Sequence, residues 1–272
     1  MRLATIRTET GTTAARMDSD TSATLLHGYT DLGALLREPD WATLAAADGN
    51  RVDVAPADFA PLIPRPGKII CVGLNYAKHI EEMGHERPDV PTLFIKFPEA
   101  LTGAYDDAEV PGFNAETLDF EGELAVIVGK QARHVSAADA HEYIAGYSVI
   151  NDYTQREYQK RTQQWHQGKS LEKTAGFGPW LDTEWQPGAR ITTTLNGETM
   201  QDAPTDDLVF TPAKLIEFIS HLYPLQPGDV IATGTPDGVG HARDPKRYLA
   251  DGDVVRVEIE GLGAIENTTR IY

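Results

Sequence analysis

The chain has 272 residues, of which 41% are hydrophobic, and it can bury the core of one large domain or of a large domain with a small appendage. Its 41 acidic residues outnumber the 24 basic ones and give a formal net charge of -17, which repels phosphate backbones, so we expect no nucleic-acid partner. An anionic substrate would also be repelled, and its site would need a local group of cations or a metal ion. No window approaches the roughly 20 apolar residues of a membrane span, so we expect a cytoplasmic protein without membrane contact.

Residues 1–60 mix short strand-like pieces with alanine-rich stretches and contain little recognisable chemistry. They lead into a proline-rich segment, residues 61–67, which favours a domain boundary because proline and glycine interrupt regular structure. We therefore expect a small N-terminal domain over residues 1–60 and a larger domain over residues 61–272. The single cysteine, Cys71, excludes an intrachain disulfide and, within an apolar run, is expected to be a buried core residue.

From Lys68 onward, short runs of apolar and β-branched residues alternate with turn residues, a pattern typical of strands. The predicted strands are residues 68–73, 92–97, 123–129, 147–151, 190–195, 229–233 and 253–259. Asn196 and Gly197 predict a tight hairpin turn, because both tolerate positive φ angles. Strands do not alternate with long helices here, so we predict a mixed α/β fold dominated by an antiparallel sheet.

Two helices are predicted in this region. One begins at Ser136, with Asp139 three residues on, and the other begins at Thr211 followed by Pro212. The spacing of apolar residues in the second helix predicts one buried face, formed by Leu215, Ile216, Ile219 and Leu222. Both helices are expected to pack on a sheet.

Acidic side chains lie where two of the predicted strands meet turns. Glu121 just precedes the strand 123–129 and Glu123 begins it, and the two-residue period of a strand places them on one face, where they could converge on a hard cation. Asp152 follows the strand 147–151 and could be a third oxygen ligand. Spacing alone also allows a water-facing strand edge for the two glutamates and a helix N-cap for Asp152.

Motifs of several other kinds of site are missing from the sequence. No histidine pair has the spacing of a zinc motif, and one cysteine cannot form a thiolate cluster. A Gly-x-Gly-x-x-Gly fingerprint, a Walker loop and a Gly-x-Ser-x-Gly elbow are absent as well, which argues against dinucleotide, nucleotide and serine-hydrolase sites. The carboxylates are therefore the best candidates for chemistry.

Five segments, in their order and spacing, together resemble the fumarylacetoacetate hydrolase family over roughly residues 66–270. The segments are KIICVGLNYAKH (68–79), DFEGEL (119–124), ND (151–152), GKS (168–170) and GDVIATGTP (228–236). This resemblance implies a mixed β-sandwich roll. It also implies that Mg²⁺ or Mn²⁺ is bound by Glu121, Glu123 and Asp152.

The resemblance implies further roles beside this metal. Lys169 would bind the substrate oxygen and stabilise an enolate, since an ammonium group offsets the developing charge. Thr235 would bind the carboxylate of a 2-oxo acid through its hydroxyl group and backbone, and Gln159 would hydrogen-bond the substrate or metal-bound water. The expected ligand is thus a small 2-oxo acid.

A histidine and a carboxylate follow the first of these segments. In related enzymes that hydrolyse acylpyruvates a lid carries such a pair, so the resemblance implies that His79 and Glu82 activate water. Their i,i+3 spacing lets them share a helix face, whereas the adjacent Glu81, at i+2, does not face His79. Without the resemblance, a surface-helix histidine is the simpler interpretation. The chain departs from many family members at Leu74, where they have arginine, and this leaves the specificity open.

The implied reaction is hydrolysis of a carbon–carbon bond in an acylpyruvate, such as fumarylpyruvate, giving fumarate and pyruvate in aromatic catabolism. A distal carboxylate could be bound by Arg87, Lys96 or Arg161. The alternatives on the same metal site are decarboxylation of oxaloacetate and isomerisation or decarboxylation of a hydroxymuconate-type diacid, and a non-catalytic metabolite-binding protein is a further one. The family is typically dimeric, so we expect a homodimer in which the partner covers a sheet edge.

Overall fold

A computed structural model describes residues 1–272 and contains 18 strands and six α-helices. The strands are β1 (Arg2–Thr8), β2 (Gly11–Ser19), β3 (Ser22–Leu26), β4 (Asn50–Asp53), β5 (Ile69–Gly73), β6 (Thr92–Ile95), β7 (Leu101–Thr102), β8 (Ala108–Val110), β9 (Leu118–Asp119), β10 (Gly122–Val128), β11 (Ile144–Asn151), β12 (Thr154–Gln155), β13 (Ala175–Asp182), β14 (Arg190–Leu195), β15 (Glu198–Pro204), β16 (Val230–Ala232), β17 (Val254–Ile259) and β18 (Gly263–Ile271). The helices are α1 (Leu32–Leu36), α2 (Trp41–Ala45), α3 (Ala77–Glu82), α4 (Arg156–Lys160), α5 (His166–Lys169) and α6 (Pro212–Leu222). Short 3-10 helices cover Pro56–Asp58, Pro98–Ala100, Gly112–Asn114, Ala140–Tyr143 and Gly240–Ala242.

Most of the strands belong to two sheets that pack face to face. The larger sheet has the order β4-β3-β2-β1-β13-β11-β10-β16-β5-β6, with β7 paired to β13, and the smaller has the order β15-β14-β17-β18-β8. Pairing is antiparallel except between β5 and β16, β7 and β13, and β8 and β18. The largest apolar cluster has 42 buried residues and includes residues of both sheets and of α6. The predicted mixed, β-dominated fold is therefore confirmed.

The seven predicted strands each overlap an observed strand. At the predicted hairpin Leu195 pairs with Glu198, which joins β14 to β15. Asn196 and Gly197 between them have φ angles of 52° and 83°, the left-handed conformation that a tight hairpin turn requires. The hairpin prediction is confirmed.

Only one of the two predicted helices is present in the structure. Helix α6 begins as expected, with the Thr211 hydroxyl accepting the Lys214 N–H as an N-cap. Its apolar face is buried except for Leu222, which is 57% exposed and contradicts the prediction, because this residue lies in the last turn, beyond the packed part of the face. The helix predicted from Ser136 is wrong. There the Ser136 hydroxyl donates to the Asp139 carboxylate in a closed turn, and only one 3-10 turn fits before β11 begins.

The first 60 residues extend the larger sheet. Strand β1 pairs with β13, which is distant in the sequence, with Arg2 opposite Asp182, and β2 to β4 continue outward from it. Whether residues 1–60 form a domain of their own stays a prediction. Cys71 is a free, fully buried thiol of β5, and burial raises its pKa. The longest helix, α6, has 11 residues, and no helix reaches the length and apolar character of a membrane span.

Candidate active site

The three predicted metal ligands meet at one end of a strand pair. Gly122 at the start of β10 lies opposite Asn151 at the end of β11, so Glu121, Glu123 and Asp152 emerge at the same edge. One carboxylate oxygen from each of the three lies within 4.8 Å of the others, and all three side chains are buried. Buried carboxylate oxygens at this spacing are suitable ligands for a hard divalent cation.

Gly122 explains how two glutamates can share one face at this point. A Cβ atom on Gly122 would collide with the Thr193 hydroxyl and the Val257 side chain of the smaller sheet. The absence of a side chain lets β14 and β17 pack directly against β10 on that side. Glu121 and Glu123 therefore lie on the side of β10 that faces away from the smaller sheet.

Basic side chains surround the carboxylates. Lys169 Nζ donates to Glu121 Oε2 at 2.6 Å and to Asp152 Oδ2 at 2.7 Å. Lys96 Nζ lies 2.9 Å from Asp152 Oδ1, an oxygen that accepts no well-oriented hydrogen bond. Arg156 lies on the other side, with Nη1 2.6 Å from Glu121 Oε1.

A second part of this network runs through Asp119. Arg156 Nε donates to Asp119 Oδ2 at 2.8 Å, and Asp119 is fully buried. The buried cluster thus has four carboxylates, of Asp119 and the three candidate ligands, against the three cations of Lys96, Arg156 and Lys169. One divalent cation would turn this excess of one negative charge into an excess of one positive charge, which suits an anionic ligand. The residues present therefore fit a bound divalent metal.

The ionisation of these groups supports the same interpretation. Burial disfavours the charged form of Glu121, but Lys169 and Arg156 outweigh it and lower the pKa of Glu121 to about 2. Burial, followed by Asp152 and Glu121, raises the pKa of Glu123. Among the three candidate ligands, Glu123 is the one whose pKa burial and the neighbouring carboxylates raise most clearly. Burial opposes the charge of Lys169, but Asp152 and Glu121 prevail and raise its pKa, so it stays an ammonium group.

The predicted histidine–glutamate pair lies on α3, at the side of the same cleft. His79 Nδ1 lies 3.0 Å from Glu82 Oε2, and Glu82 Oε1 accepts the Gly238 N–H at 3.0 Å. His79 is buried and lines the cleft, which leaves its Nε2 for a ligand. Glu81 is exposed and makes no hydrogen bond with His79.

The cleft opens beside the carboxylate cluster. Its lining joins polar and apolar side chains: Val72, Gly73, Leu74, His79, Met83, His85, Phe94, Glu121, Arg156, Gln159, Lys160, Trp165, Lys169 and Thr235. Leu74 has a φ of 55°, a conformation uncommon for a branched residue and often found at functional sites.

Two predicted substrate contacts lie in this lining. The Thr235 hydroxyl is already engaged, since it donates to the Gly122 carbonyl at 3.0 Å and accepts from Gln201 at 2.8 Å. The Thr235 backbone N–H donates to no group of the protein and is the part that could bind a carboxylate. Gln159 Oε1 accepts from Arg156 at 3.2 Å, so its amide nitrogen could donate to a ligand.

None of the three cations suggested for a distal carboxylate lines the cleft. Arg87 is exposed on the segment after α3. Arg161 is half exposed and pairs with Glu157 at 2.8 Å, and Lys96 is buried and pairs with Asp152.

Sequence reasoning missed Arg156, Asp119 and Lys160. Asp119 continues the two-residue alternation of the glutamates, which was the available signal for it. Arg156 and Lys160 follow the Asn151–Asp152 segment, but nothing in their local sequence tells which side of a five-residue helix faces a cleft.

Known proteins resemble this chain over most of its length. Residues 68–270 match the family described as Fumarylacetoacetate (FAA) hydrolase C-terminal. The chain is 41% identical over 214 residues to oxaloacetate tautomerase Fahd2a, mitochondrial, of Rattus norvegicus, a match that covers 77% of this chain and 68% of that protein. It is 40% identical over 212 residues to oxaloacetate tautomerase YisK of Bacillus subtilis, covering 75% and 70%.

Solved structures match the whole fold. The fumarylacetoacetate hydrolase from Exiguobacterium antarcticum superimposes with a TM-score of 0.88 at 32% identity, covering 100% of both chains. The 5-carboxymethyl-2-hydroxymuconate delta-isomerase from Mycobacterium smegmatis gives a TM-score of 0.85 at 29% identity, again covering 100% of both. The similarity therefore includes the first 60 residues.

Proposed function

Because this chain belongs to the fumarylacetoacetate hydrolase family, with the fold expected of it, we propose that it is a metal-dependent enzyme that interconverts the keto and enol forms of oxaloacetate. The observation that carries the proposal is the His79–Glu82 pair, which lines the same cleft as Lys169 and the carboxylate cluster. Relatives named as oxaloacetate tautomerases, at 40–41% identity, support this choice among the reactions of the family.

The site contains the groups that tautomerisation needs. The reaction moves one proton between C3 and the oxygen on C2, so it requires a base near C3 and positive charge near that oxygen. Glu121, Glu123 and Asp152 would hold Mg²⁺ or Mn²⁺, which acts when bound as a Lewis acid toward the 2-oxo acid. Lys169 supplies a second positive charge beside these ligands.

In the proposed reaction, His79 Nε2 accepts the C3 proton of the keto form, and Glu82 stabilises the resulting imidazolium. Lys169 stabilises the negative charge that develops on the C2 oxygen. A proton from solvent then gives the enol, His79 Nε2 returns its proton to solvent, and the reverse sequence restores the keto form. The Thr235 N–H and the Gln159 amide bind the carboxylate next to the 2-oxo group.

Hydrolysis of an acylpyruvate, such as fumarylpyruvate, is a second candidate. Hydrolysis is favoured by the fixed orientation of the His79–Glu82 pair, since one carboxylate oxygen of Glu82 contacts His79 and the other accepts the Gly238 N–H. An imidazole oriented in this way can take a proton from water as well as from carbon. Cleavage would then release pyruvate, which tautomerisation does not.

The two candidates are separated by their products. Mg²⁺-loaded protein would be given the enol of oxaloacetate while the ultraviolet absorbance of the conjugated enol is followed, and pyruvate would be measured with oxaloacetate and with fumarylpyruvate. We expect faster ketonisation without pyruvate. His79→Gln should slow the reaction by about 10²–10⁴-fold, whereas His27→Gln, which replaces an exposed histidine of the first 60 residues, should not.

Other combinations of products would support a different function. Pyruvate from fumarylpyruvate, without faster ketonisation, would favour the hydrolase. Pyruvate from oxaloacetate would favour a decarboxylase. No reaction with either compound would reject both candidates and favour a metabolite-binding role.

We also retain the homodimer and the cytoplasmic location as proposals. Strand β6 ends the larger sheet, and Ile95 and Phe97 at this edge are each 45% exposed, which supports a second copy as the covering partner. Light scattering should give twice the chain mass of 29.8 kDa, and a stable monomer at micromolar concentration would contradict the dimer. Cell fractionation tests the location.

A further inference from the structure

A lysine at the mouth of the cleft is held by residues from a distant segment. Lys160, the last residue of α4, lines the cleft. Its Nζ donates to His241 Nε2 at 2.5 Å, and His241 Nδ1 lies 2.7 Å from the Tyr248 hydroxyl. Because Nε2 accepts from an ammonium group, the ring proton lies on Nδ1, which donates to Tyr248.

The charge state of His241 fits this arrangement. Burial, followed by the charges of Lys160, Arg156 and Lys246, lowers the pKa of His241 to about 4, so the ring is neutral near pH 7. The segment that carries the ring is fixed as well. Asp119 accepts the Gly240 N–H at 2.8 Å and the His241 N–H at 3.0 Å, and the same carboxylate anchors Arg156.

Lys160 has no carboxylate partner in the protein. Partial burial, then Lys246 and Arg156, lowers its pKa, and no acidic group offsets them. Arg156 and Lys160 are four residues apart on α4, so their side chains lie one turn apart, with about 5–6 Å between Cβ atoms. Arg156 contacts Glu121, so Lys160 lines the same cleft one helical turn farther from the carboxylate cluster than Arg156 does.

We propose that Lys160 binds the distal carboxylate of a short dicarboxylic 2-oxo acid, and that His241 and Tyr248 position it. This assignment rests on the proposed function, which places the 2-oxo acid end of the substrate at the carboxylate cluster. In a chain of net charge -17, Arg156, Lys160 and Lys246 form the local group of cations that a second carboxylate requires. Lys160 is then a specificity-determining residue that separates diacids from monoacids.

Binding of two inert four-carbon acids tests the assignment without turnover. Malate and 2-hydroxybutyrate share a 2-hydroxy acid end, and only malate has a distal carboxylate. Calorimetric titration of the Mg²⁺-loaded protein should show preference for malate. Lys160→Met should weaken malate binding by about 10-fold, the lower end for a hydrogen bond to a charged group, and leave 2-hydroxybutyrate binding unchanged. Lys130→Met, an exposed lysine outside the cleft, controls for the lost charge.

The positioning role of His241 has its own readout. His241→Ala should raise KM for oxaloacetate and keep kcat, since the reacting atoms are not touched. His241→Gln supplies an amide oxygen for Lys160 and should restore most of the wild-type KM. Circular dichroism would establish that each variant is folded.

The outcomes distinguish this assignment from the proposed reaction. Equal affinity for both acids, no malate binding at millimolar concentration, or an unchanged preference in Lys160→Met would overturn it, even if oxaloacetate is tautomerised. A preference for malate that Lys160→Met abolishes would support it, even if no tautomerase activity is found.

Discussion

The Asp119→Asn substitution should strongly destabilise the protein. Asp119 is fully buried and accepts hydrogen bonds from Arg156 Nε at 2.8 Å and from the N–H groups of Gly240 and His241 at 2.8 and 3.0 Å. The substitution removes the charge and sets an NH₂ group among these donors, so Arg156 keeps only Glu121 as counter-ion. Removing one partner of a buried ion pair costs about 3–5 kcal/mol.

Thermal unfolding measures this loss. For a chain of this size each kcal/mol lowers Tm by about 2–4 °C, so we expect a drop of roughly 10 °C. Asp202→Asn is the matched control, because Asp202 pairs with Arg190 at an exposed site, where such pairs contribute about 1 kcal/mol or less. Equal losses in the two variants would refute the view that Asp119 is an electrostatic anchor of the site.

Three further predictions concern the metal, the cleft and pH. Mg²⁺ at about 100 times its Kd should raise the free energy of unfolding by about 2.7 kcal/mol, and calorimetry should find no such rise for Glu123→Gln. Gly73→Ala places a methyl group against the Trp165 ring and should raise KM by displacing this wall of the cleft, which steady-state kinetics would reveal. Burial raises the pKa of Tyr147 from 10.0 to about 12, so the neutral side chain stabilises the folded state. This contribution to the free energy of unfolding is complete below about pH 10 and is lost as the pH rises to about 12. Tyr147→Phe should therefore keep more of its stability at pH 11 in denaturant titrations than the wild type, and an identical loss in both would contradict this.

The strands were predictable because their residues obey local rules. β-branched runs such as 190–195 favour extended backbone, and Asn196 and Gly197 favour the turn that follows. The same local order placed Glu121 and Glu123 on one face and Asp152 at a neighbouring strand end. These three carboxylates converge because their two strands pair side by side. The register of such a pair is closely constrained by the hydrophobic pattern of each strand.

The rest of the site depends on contacts between distant segments. The Lys160–His241 hydrogen bond joins residues 81 positions apart, and no local pattern encodes it. Arg156 lies on a helix of five residues, too short for a periodic pattern to fix its buried side. The missing helix at Ser136 has a related cause, since a side-chain hydrogen bond to Asp139 competes with the helical turn that the same two residues suggest.

The close approach at Gly122 links the candidate metal site to the smaller sheet. The strand that carries Glu123 also forms the surface on which Thr193 and Val257 pack, so fixing one side of β10 restrains the other. Metal binding should then slow amide hydrogen exchange in β14 and β17, although neither strand supplies a ligand. The smaller sheet would in this way report the occupancy of a metal site to which it supplies no ligand.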